Sequence, residues 1–310
     1  MLYLTEAEVR RLLPMPDAIR LMRLAFEALA AGQAQNQPRR RLILPTGSAL
    51  HSMAGAYGEY FGTKFYSTNP KHGANFLFAL YDAKTAKPLA LMEANSLGQI
   101  RTGAASGYAT DRMANPQARV LGVIGSGYQA RSQVEAIRAV RPISEIRVWS
   151  RNPSKRRAMA DELGVTAVET AEAAVSGADI VITATNAKDP VIEDSWIQPG
   201  VHINAMGSNV ASRRELPAEL VRRANTIAVD SLDQAKIEAG DLILGGHWSN
   251  VVELQDVTKS YDPAKITIFK SLGVGLEDVA AGGFVYEAAM RENVGRPIPE
   301  QLADRNPAKH

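Results

Sequence analysis

The residues of this chain that can do chemistry begin with a glycine-rich segment, Gly125-Ser-Gly127-Tyr128-Gln129-Ala130, which follows the apolar run Val120-Leu-Gly-Val-Ile124. In a turn from strand to helix, Gly125 allows a tight bend, Gly127 lets a phosphate approach the backbone, and Ala130 keeps the two elements close. The amide groups of a helix beginning near Tyr128 would face the negative charge of that phosphate. The segment therefore predicts a site for the pyrophosphate of a dinucleotide.

The next apolar run, EIRVWS, ends about 20 residues further on, where the residue that contacts the adenosine ribose belongs. The residues there are Ser150, Arg151 and Asn152, with Lys155 and Arg156 just beyond, and no carboxylate is present to bind a ribose diol. A cationic loop with a hydroxyl group accommodates a 2′-phosphate, which favours NADP over NAD. If Arg151 instead stacks on adenine or points into water, NAD remains open.

Composition excludes several classes of function. The chain of 310 residues has no cysteine, which excludes disulfides, thiolate metal sites and a cysteine nucleophile. Its net charge of +2 gives no reason to expect a nucleic-acid partner. The beginning, MLYLTEAEVRRLLP, lacks the apolar core of a signal peptide, and no window approaches the roughly 18 apolar residues of a membrane span. We therefore expect a cytoplasmic protein without membrane contact.

The elements that must position these residues fall into two groups. Residues 15–32 have helical periodicity, and residues 41–93 contain short apolar runs separated by turn residues, as in antiparallel strands. From Arg119 onward, the apolar runs RVLGVIGSG, ADIVITAT, GVHINAMG, NTIAVDS and KITIFKSLG alternate mostly with helix-like stretches. This alternation is typical of a Rossmann-type, doubly wound parallel sheet, so we predict an α/β fold in which a second, smaller domain is α+β.

Four motifs together resemble the ornithine cyclodeaminase/mu-crystallin family. They are the glycine-rich segment, Arg101-Thr-Gly-Ala104, Gly207-Ser-Asn209 followed by Arg214-Glu-Leu216, and Phe269-Lys-Ser-Leu-Gly273. Members of that family include ornithine and lysine cyclodeaminases, alanine dehydrogenases, imine and ketimine reductases, and mu-crystallin, and the family is typically dimeric. The resemblance implies a homodimer and an active site between two domains. We assign residues 1–113 plus about 283–310 to a substrate-binding and dimerisation domain, and residues 114–282 to an NAD(P)-binding domain.

The resemblance also implies which residues of the first domain contact the substrate. Arg41, in Arg41-Leu-Ile-Leu-Pro45, matches the family arginine that binds a substrate carboxylate, and Lys64 matches a lysine that contacts the substrate. Arg101 matches an arginine near the substrate and the cofactor phosphates, and it is expected to open a helix together with Thr102. Without the resemblance, Arg41 and Lys64 would be interpreted as solvated side chains. His51 and His72, expected in loops, are weaker candidates for proton transfer.

In the second domain the resemblance extends the cofactor site beyond the glycine-rich segment. It implies that Gln129 lies at the pyrophosphate, that Ala205 and Met206 lie beside the cofactor, and that Leu272 lies near the substrate. The remaining implied cofactor contacts are Thr102, Thr185 and Ser271.

One departure from the family pattern bears on the direction of the reaction. Cyclodeaminases carry an aspartate where this chain has Asn209, and an amide side chain cannot serve as a general base. Reduction of an imine needs a proton donor rather than a base, so we predict an NAD(P)H-dependent reductase of a small α-imino acid. Arg41, Lys64 and Arg101 would orient its carboxylate, and Lys64 or a water would protonate the nitrogen. The alternatives are an ornithine or lysine cyclodeaminase, an alanine-type dehydrogenase, and a mu-crystallin-like ligand-binding protein.

Overall fold

The computed structural model describes residues 1–299 and divides the chain into two compact units. One unit comprises Met1–Arg101 and the chain from Val274 onward, and the other comprises Thr102–Gly273. The sequence-based boundaries were 113/114 and about 282/283. The first division in the structure falls inside a helix, α3 (Asn95–Met113), and the second precedes another, α10 (Gly275–Glu292). Residues 300–310 of the predicted first domain lie outside the described residues.

The first unit is built on a mixed sheet of eight strands with the order β16-β1-β7-β6-β5-β4-β2, and β3 pairs with β4 as well. Two of its helices, α2 and α10, pack on this sheet or on each other. The helix predicted over 15–32 is confirmed as α2. The strands are β1 (Leu2–Leu4), β2 (Ala34–Asn36), β3 (Arg40–Ile43), β4 (Ala49–Tyr57), β5 (Tyr60–Asn69), β6 (Gly73–Asp82), β7 (Pro88–Glu93) and β16 (Arg296–Pro297), and the helices are α1 (Glu6–Leu12), α2 (Met15–Ala30), α10 and the beginning of α3.

Helix α10 lies unusually close to strand β4 because glycines face each other at the contact. A Cβ atom on Gly55 would lie 2.6 Å from the backbone nitrogen of Leu276, and one on Gly275 would lie 2.5 Å from the carbonyl oxygen of Ala54. Real Cβ atoms do not approach that closely, so only glycine permits this packing. The close approach brings the first turns of α10 against the side chains of β4 and β5.

The second unit is a parallel sheet of eight strands with the order β10-β9-β8-β11-β12-β15-β13-β14. Alternate residues of one strand enter different core clusters: Ile180 and Ile182 belong to one, and Val181 to the other. Apolar packing on both faces confirms the doubly wound α/β sheet. The strands are β8 (Val120–Ile124), β9 (Glu145–Trp149), β10 (Thr166–Ala167), β11 (Ile180–Thr183), β12 (His202–Ala205), β13 (Thr226–Val229), β14 (Val251–Glu253) and β15 (Thr267–Lys270), and the helices are α4 (Tyr128–Val140), α5 (Pro153–Leu163), α6 (Ala171–Val175), α7 (Ala218–Arg223), α8 (Leu232–Glu238), α9 (Gly240–Gly245) and the rest of α3.

The order of the strands creates a switch point beside β8. The chain runs from β8 to β9 and β10 on one side, and then returns to β11 and β12 on the other. At the carboxyl edge Ile124, Thr183, Ala205 and Lys270 lie in register on four neighbouring strands. Ligands of open parallel sheets bind outside this edge, at the switch point. No helix among residues 1–299 combines the length and hydropathy of a membrane span.

Candidate active site

The glycine-rich turn adopts the geometry that a phosphate site requires. Gly125 has a φ of +117°, and a Cβ atom there would collide with the carbonyl oxygen of Ala184. Gly127 precedes α4, a helix of 13 residues, and a Cβ atom on Gly127 would meet no atom within 4 Å. The first position thus needs glycine for its backbone, and the second leaves open space in front of the helix amides, where a pyrophosphate fits.

The carbonyl groups of this turn are held by a side chain from α4. Arg131 donates hydrogen bonds to the carbonyl oxygens of Ser126 and Gly127, at 3.2 and 3.1 Å. Its Nε and Nη2 atoms bind both oxygens of Glu162, at 2.9, 2.8 and 2.6 Å. The bidentate pair fixes the guanidinium plane, so the turn is braced before a ligand binds.

A cavity of about 1190 Å³ opens outside the carboxyl edge of the second unit. The Oε1 atom of Gln129 is buried beside it without a hydrogen-bond partner among the described residues, which leaves this amide for a ligand. The cavity wall does not include four of the predicted cofactor residues, Thr102, Ala205, Met206 and Ser271. The predicted cofactor residues that do line it are Gly125, Gly127, Tyr128, Gln129, Ser150, Arg151, Asn152 and Thr185.

At the end of β9 the cavity wall is polar and cationic. The Oγ atom of Ser150 lies 2.8 Å from that of Ser126, so β9 and the glycine-rich turn are joined by hydroxyl groups. Asn152 caps α5, where its Oδ1 atom accepts a hydrogen bond from the Lys155 amide at 2.9 Å. Arg151 and Lys155 are exposed at the cavity. A phosphate on the ribose would meet two cations and a hydroxyl group here.

Glu215, from the Glu-Leu pair, ties together the ends of β11 and β12. Its carboxylate is buried and accepts hydrogen bonds from the Thr183 hydroxyl, the Thr185 amide, the Thr185 hydroxyl and the Gly207 amide, at 2.7–2.9 Å. Burial raises the pKa of Glu215, and the nearby Lys270 opposes that shift. Because the hydroxyl of Thr185 donates its proton to Glu215, it can only accept a hydrogen bond from a cofactor.

A second buried carboxylate supports the same edge. Asp241 accepts hydrogen bonds from the amides of Glu215 and Leu216, at 2.6 and 2.9 Å, and its other oxygen lies 2.9 Å from the Nζ atom of Lys270. Lys270 ends β15, directly before Ser271. The ion pair fixes the strand end that carries Ser271.

The other predicted residues of the second unit lie around this edge. The amide of Met206 donates to Thr183 and that of Ser271 donates to Ala205, at 3.0 and 3.1 Å, so these residues continue the neighbouring strands. Leu272 is 5% exposed and packs in the core, while its amide donates to Asp230 at 2.6 Å. Asn209 is partly buried in the turn after β12. The carbonyl of Thr102 accepts a hydrogen bond from Gln133 at 3.2 Å.

In the first unit Lys64 is the centre of a buried charged cluster. Lys64 lies on β5 and is 3% exposed, and its Nζ atom lies 2.9 and 2.8 Å from the two carboxylate oxygens of Asp278 on α10. The Nε atom of Arg101 donates to the same carboxylate at 2.9 Å, and its Nη1 atom binds Glu277. We name this set of Lys64, Arg101, Glu277 and Asp278 the lysine cluster.

The placement of Arg101 differs from the prediction. Helix α3 begins at Asn95, so Arg101 lies in its second turn rather than at its opening. The reason is a cap from outside the local sequence: the carboxylate of Glu6 accepts hydrogen bonds from the amides of Asn95 and Ser96, at 2.7 and 2.6 Å. Six residues of helix, more than one turn, can therefore form before the Arg-Thr-Gly-Ala motif.

Beside the lysine cluster, one row of side chains crosses four strands of the sheet. Arg41, His51, Tyr66 and Phe76 are register partners on β3, β4, β5 and β6. The rings of His51 and Tyr66 stack at 4.3 Å, and those of Tyr66 and Phe76 at 4.9 Å. Arg41 is partly exposed at the end of the row, while Arg39, two residues before it in sequence, is buried.

His51 was wrongly expected in a loop, since it lies on β4 and is buried. Burial, and then the charges of Arg41 and Arg39, lower the pKa of His51 to about 4. The ring is neutral at physiological pH, so it offers an aromatic surface rather than a cation beside Arg41. His72 lies in an exposed turn, as expected.

Arg39, Glu215, Glu277 and Asp278 were not predicted as site residues. Arg39 belongs to a run of three arginines, Arg39-Arg40-Arg41, which is typical of an exposed segment, and the three carboxylates lie in segments that carry no local signal of burial. Among residues 1–299 no group of His, Asp and Glu side chains is arranged to hold a metal ion. The groups that the first unit offers to a ligand are ammonium, guanidinium and aromatic groups.

Comparison with known proteins agrees with this geometry. The model of the Ornithine cyclodeaminase/mu-crystallin family matches residues 1–293. Delta(1)-pyrroline-2-carboxylate reductase of Bacillus cereus is 33% identical over 96% of this chain and 99% of its own. The structure of the Thermococcus litoralis Delta(1)-pyrroline-2-carboxylate reductase with NADH and L-proline has a TM-score of 0.89 at 32% identity, covering 96% of this chain and 100% of its own. An archaeal alanine dehydrogenase dimer with bound NAD has a TM-score of 0.91 at 31% identity, covering 96% and 99%.

Proposed function

This chain belongs to the ornithine cyclodeaminase/mu-crystallin family, and on that premise we propose that it is an NAD(P)H-dependent oxidoreductase that reduces a small α-imino acid to the amino acid. The observation that carries the proposal is the cavity at the switch point of the parallel sheet, whose glycine-rich turn fits a pyrophosphate. A nicotinamide cofactor bound there supplies the hydride. The protein supplies binding, orientation and a proton.

The first unit supports an acidic substrate. Arg41 presents a planar guanidinium group, which can bind a carboxylate through two parallel hydrogen bonds. The neighbouring stack of His51, Tyr66 and Phe76 offers a neutral aromatic wall to the rest of a small molecule. An imino acid with its carboxylate on Arg41 and its nitrogen toward Lys64 satisfies both features.

The site chemistry favours reduction over amine oxidation. Asn209 occupies the position at which cyclodeaminases of the family carry an aspartate, and an amide cannot accept a proton from an amine near neutral pH. Lys64 is a buried ammonium group that can donate a proton to the nitrogen of the C=N bond. Near neutral pH these residues therefore favour proton donation to the imine, and the reverse reaction would need the neutral amine of Lys64 as its base.

The relatives suggest which imino acid to test first. The Thermococcus litoralis structure holds NADH and L-proline, so Δ1-pyrroline-2-carboxylate, which gives proline on reduction, is our first candidate substrate. The similarity to alanine dehydrogenase supports a second candidate, pyruvate with ammonia, which form an open imine. Both carry a carboxylate next to the C=N carbon, as the proposed role of Arg41 requires.

We propose NADP as the preferred cofactor. Ser150, Arg151 and Lys155 surround the end of β9 at the cavity, and no carboxylate follows that strand to bind a ribose diol. Two cations and a hydroxyl group stabilise a 2′-phosphate. The two solved relatives described above contain NADH and NAD. If this chain prefers NADP instead, we expect the loop after β9 to cause that difference.

We also propose a homodimer that forms through the first unit. Leu42, Ile43 and Leu44 on and after β3 are 48–68% exposed, and Leu50 on β4 pairs with Leu42 and is 50% exposed. Leu42 and Leu50 lie on one face of the sheet and Ile43 lies on the other, and exposed apolar side chains of this kind are typical of a protein interface. Light scattering should give a mass of twice 33.5 kDa for the wild type, and Ile43→Lys should lower it to that of one chain.

The experiment that tests the proposed function is a panel of NADPH and NADH oxidation assays. The substrates are Δ1-pyrroline-2-carboxylate, Δ1-piperideine-2-carboxylate, iminosuccinate and pyruvate with ammonia, each tested against ornithine and lysine in the oxidative direction. Faster reduction of at least one imino acid than oxidation of any amine supports the proposal. Cyclisation of ornithine or lysine would replace it with a cyclodeaminase. Tight binding of NADPH without turnover on the whole panel would favour a ligand-binding protein.

A further inference from the structure

Asp278 is the residue that connects the two cations of the lysine cluster. It lies in the first turn of α10, is fully buried, and is 214 residues away from Lys64 in sequence. One of its carboxylate oxygens accepts from both Lys64 Nζ and Arg101 Nε, each at 2.9 Å, and the other lies 2.8 Å from Lys64 Nζ. No other carboxylate contacts Lys64 in the described part of the chain, so Asp278 determines where its ammonium group lies.

The charges of the lysine cluster balance without a substrate. Lys64 and Arg101 contribute two positive charges, and Glu277 and Asp278 contribute two negative charges. Burying an uncompensated charge is strongly unfavourable, whereas a hydrogen-bonded pair is tolerated. Lys64 already has the carboxylate of Asp278 as its partner, so a substrate carboxylate is not needed to neutralise it. This assigns the carboxylate to Arg41 and leaves Lys64 for the nitrogen.

The groups around Lys64 bias it toward giving up a proton. The pKa of Lys64 is lowered to about 8. Burial is the largest cause and the charge of Arg101 the next, and Arg39 acts in the same direction, whereas the contact with Asp278 opposes the shift. Glu277 on α10 acts on this site through its contact with Arg101. The ammonium form thus prevails at neutral pH but releases its proton more readily than an ordinary lysine.

We propose that Asp278 is a positioning residue for Lys64, which holds the lysine ammonium in place for proton transfer to the substrate nitrogen. This inference rests on the proposed function. In the reduction, the C=N carbon accepts the hydride and the nitrogen accepts a proton from Lys64 Nζ, so the imine is reduced and NAD(P)H is oxidised. The neutral amine of Lys64 then takes a proton from water. Asp278 keeps Nζ at a fixed place throughout.

The test is a pair of pH profiles on the full-length chain. The first is kcat/KM for imine reduction, which should fall on the alkaline side as Lys64 loses its proton. The second is the ¹³Cε chemical shift of labelled lysine, assigned with Lys64→Arg, which follows the same proton without turnover. The NMR profile separates failure of this inference from failure of the proposed function, because it needs no substrate.

Asp278→Asn should move both profiles to lower pH by at least about one unit, since the charge that stabilises the ammonium form is lost. Asp278→Glu keeps the charge and should restore most of the shift. Glu277→Gln removes an equal charge that contacts Arg101 instead, so its shift should be less than half as large. If Asp278→Asn does not fold, as judged by near-ultraviolet circular dichroism, Asp278→Ser removes the charge with less volume.

Unchanged profiles in the folded Asp278 variant would overturn the inference. Equal shifts in Glu277→Gln and Asp278→Asn would also overturn it, because they would show a general field rather than direct positioning. A lower kcat with both profiles at the wild-type pH would mean that Asp278 acts only through packing. The inference requires the shift to be specific to Asp278.

Discussion

The carboxylate of Glu215 accepts hydrogen bonds from both the amide and the hydroxyl of Thr185, each at 2.7 Å. Through this double contact a buried charge determines the backbone at the end of β11, which lines the cavity. The same carboxylate binds the Gly207 amide after β12 at 2.7 Å. Two strand ends at the cofactor side of the sheet therefore depend on one residue.

Glu215→Gln should weaken both folding and cofactor binding. Both carboxylate oxygens of Glu215 accept hydrogen bonds, and glutamine replaces one of them by an NH₂ group, which cannot accept. At least one buried donor therefore loses its acceptor. Loss of such charged hydrogen bonds costs about 2–4 kcal/mol of the free energy of unfolding. We expect that loss in urea unfolding, together with a rise of about tenfold in the Kd for NADPH. Glu219→Gln, at an exposed pair with Arg222, is the control and should change neither quantity. Wild-type stability and affinity in Glu215→Gln would contradict the role given to this residue.

Arg41→Ala should raise KM for the imino acid and leave kcat within about threefold. A charged hydrogen-bonded pair contributes about 1.5–3 kcal/mol, which corresponds to an increase in KM of about 10- to 150-fold. Arg41→Lys should recover only part of the loss, because an ammonium group cannot form the bidentate contact. The matched control is the exposed neighbour Arg40→Ala, measured by the same steady-state assay. An equal effect of Arg40→Ala and Arg41→Ala on KM would show that substrate binding depends only on the total positive charge of this segment.

Arg151→Ala should reduce the preference for NADPH over NADH. Loss of a cation beside the 2′-phosphate should raise KM for NADPH about tenfold and change KM for NADH by less than twofold. Arg157→Ala, on the exposed face of α5 and outside the cavity wall, provides the control. The two cofactors are compared at saturating imino acid. Equal effects on NADPH and NADH would instead indicate that Arg151 stacks on the adenine.

His202→Gln should make the stability of the fold less sensitive to acid. Burial lowers the pKa of His202 from 6.5 to about 3, so the folded state keeps the ring neutral while the unfolded chain binds a proton. The unfolded state therefore gains stability as pH falls from about 6.5 toward 3, by up to about 1.4 kcal/mol per pH unit. Urea unfolding at several pH values in this window should show a slope smaller by that amount in the variant. Exposed His72→Gln is the control, and an unchanged slope in His202→Gln would refute the assignment.

Much of the fold, and the part of the candidate site around the glycine-rich turn, follow from local sequence patterns. The strand, glycine turn and helix around Gly125 are contiguous, so their geometry and the cavity beside them could be predicted from spacing alone. The alternation of apolar strands with helices gave the parallel sheet for the same reason. Lys64 and Arg41 needed the family resemblance, because a cation on a strand carries no local sign of whether it faces solvent or a site.

The residues that the sequence did not indicate act over long distances along the chain. Asp278 meets Lys64 only because glycines at the contact of α10 with β4 allow close packing. Glu6 caps α3 from 89 residues away, which is why the helix begins earlier than its motif suggested. Neither effect leaves a periodic pattern, so both become visible only in three dimensions.

The central claim is that a hydride passes from the nicotinamide to the C=N carbon of an acid bound by this chain. The most direct measurement uses NADPH carrying deuterium on either face of C4, with Δ1-pyrroline-2-carboxylate as acceptor and mass spectrometry of the product. The account predicts proline with one deuterium on Cα from one of the two labelled cofactors and none from the other. Product without deuterium from either cofactor, or no product with any imino acid of the panel, would contradict it.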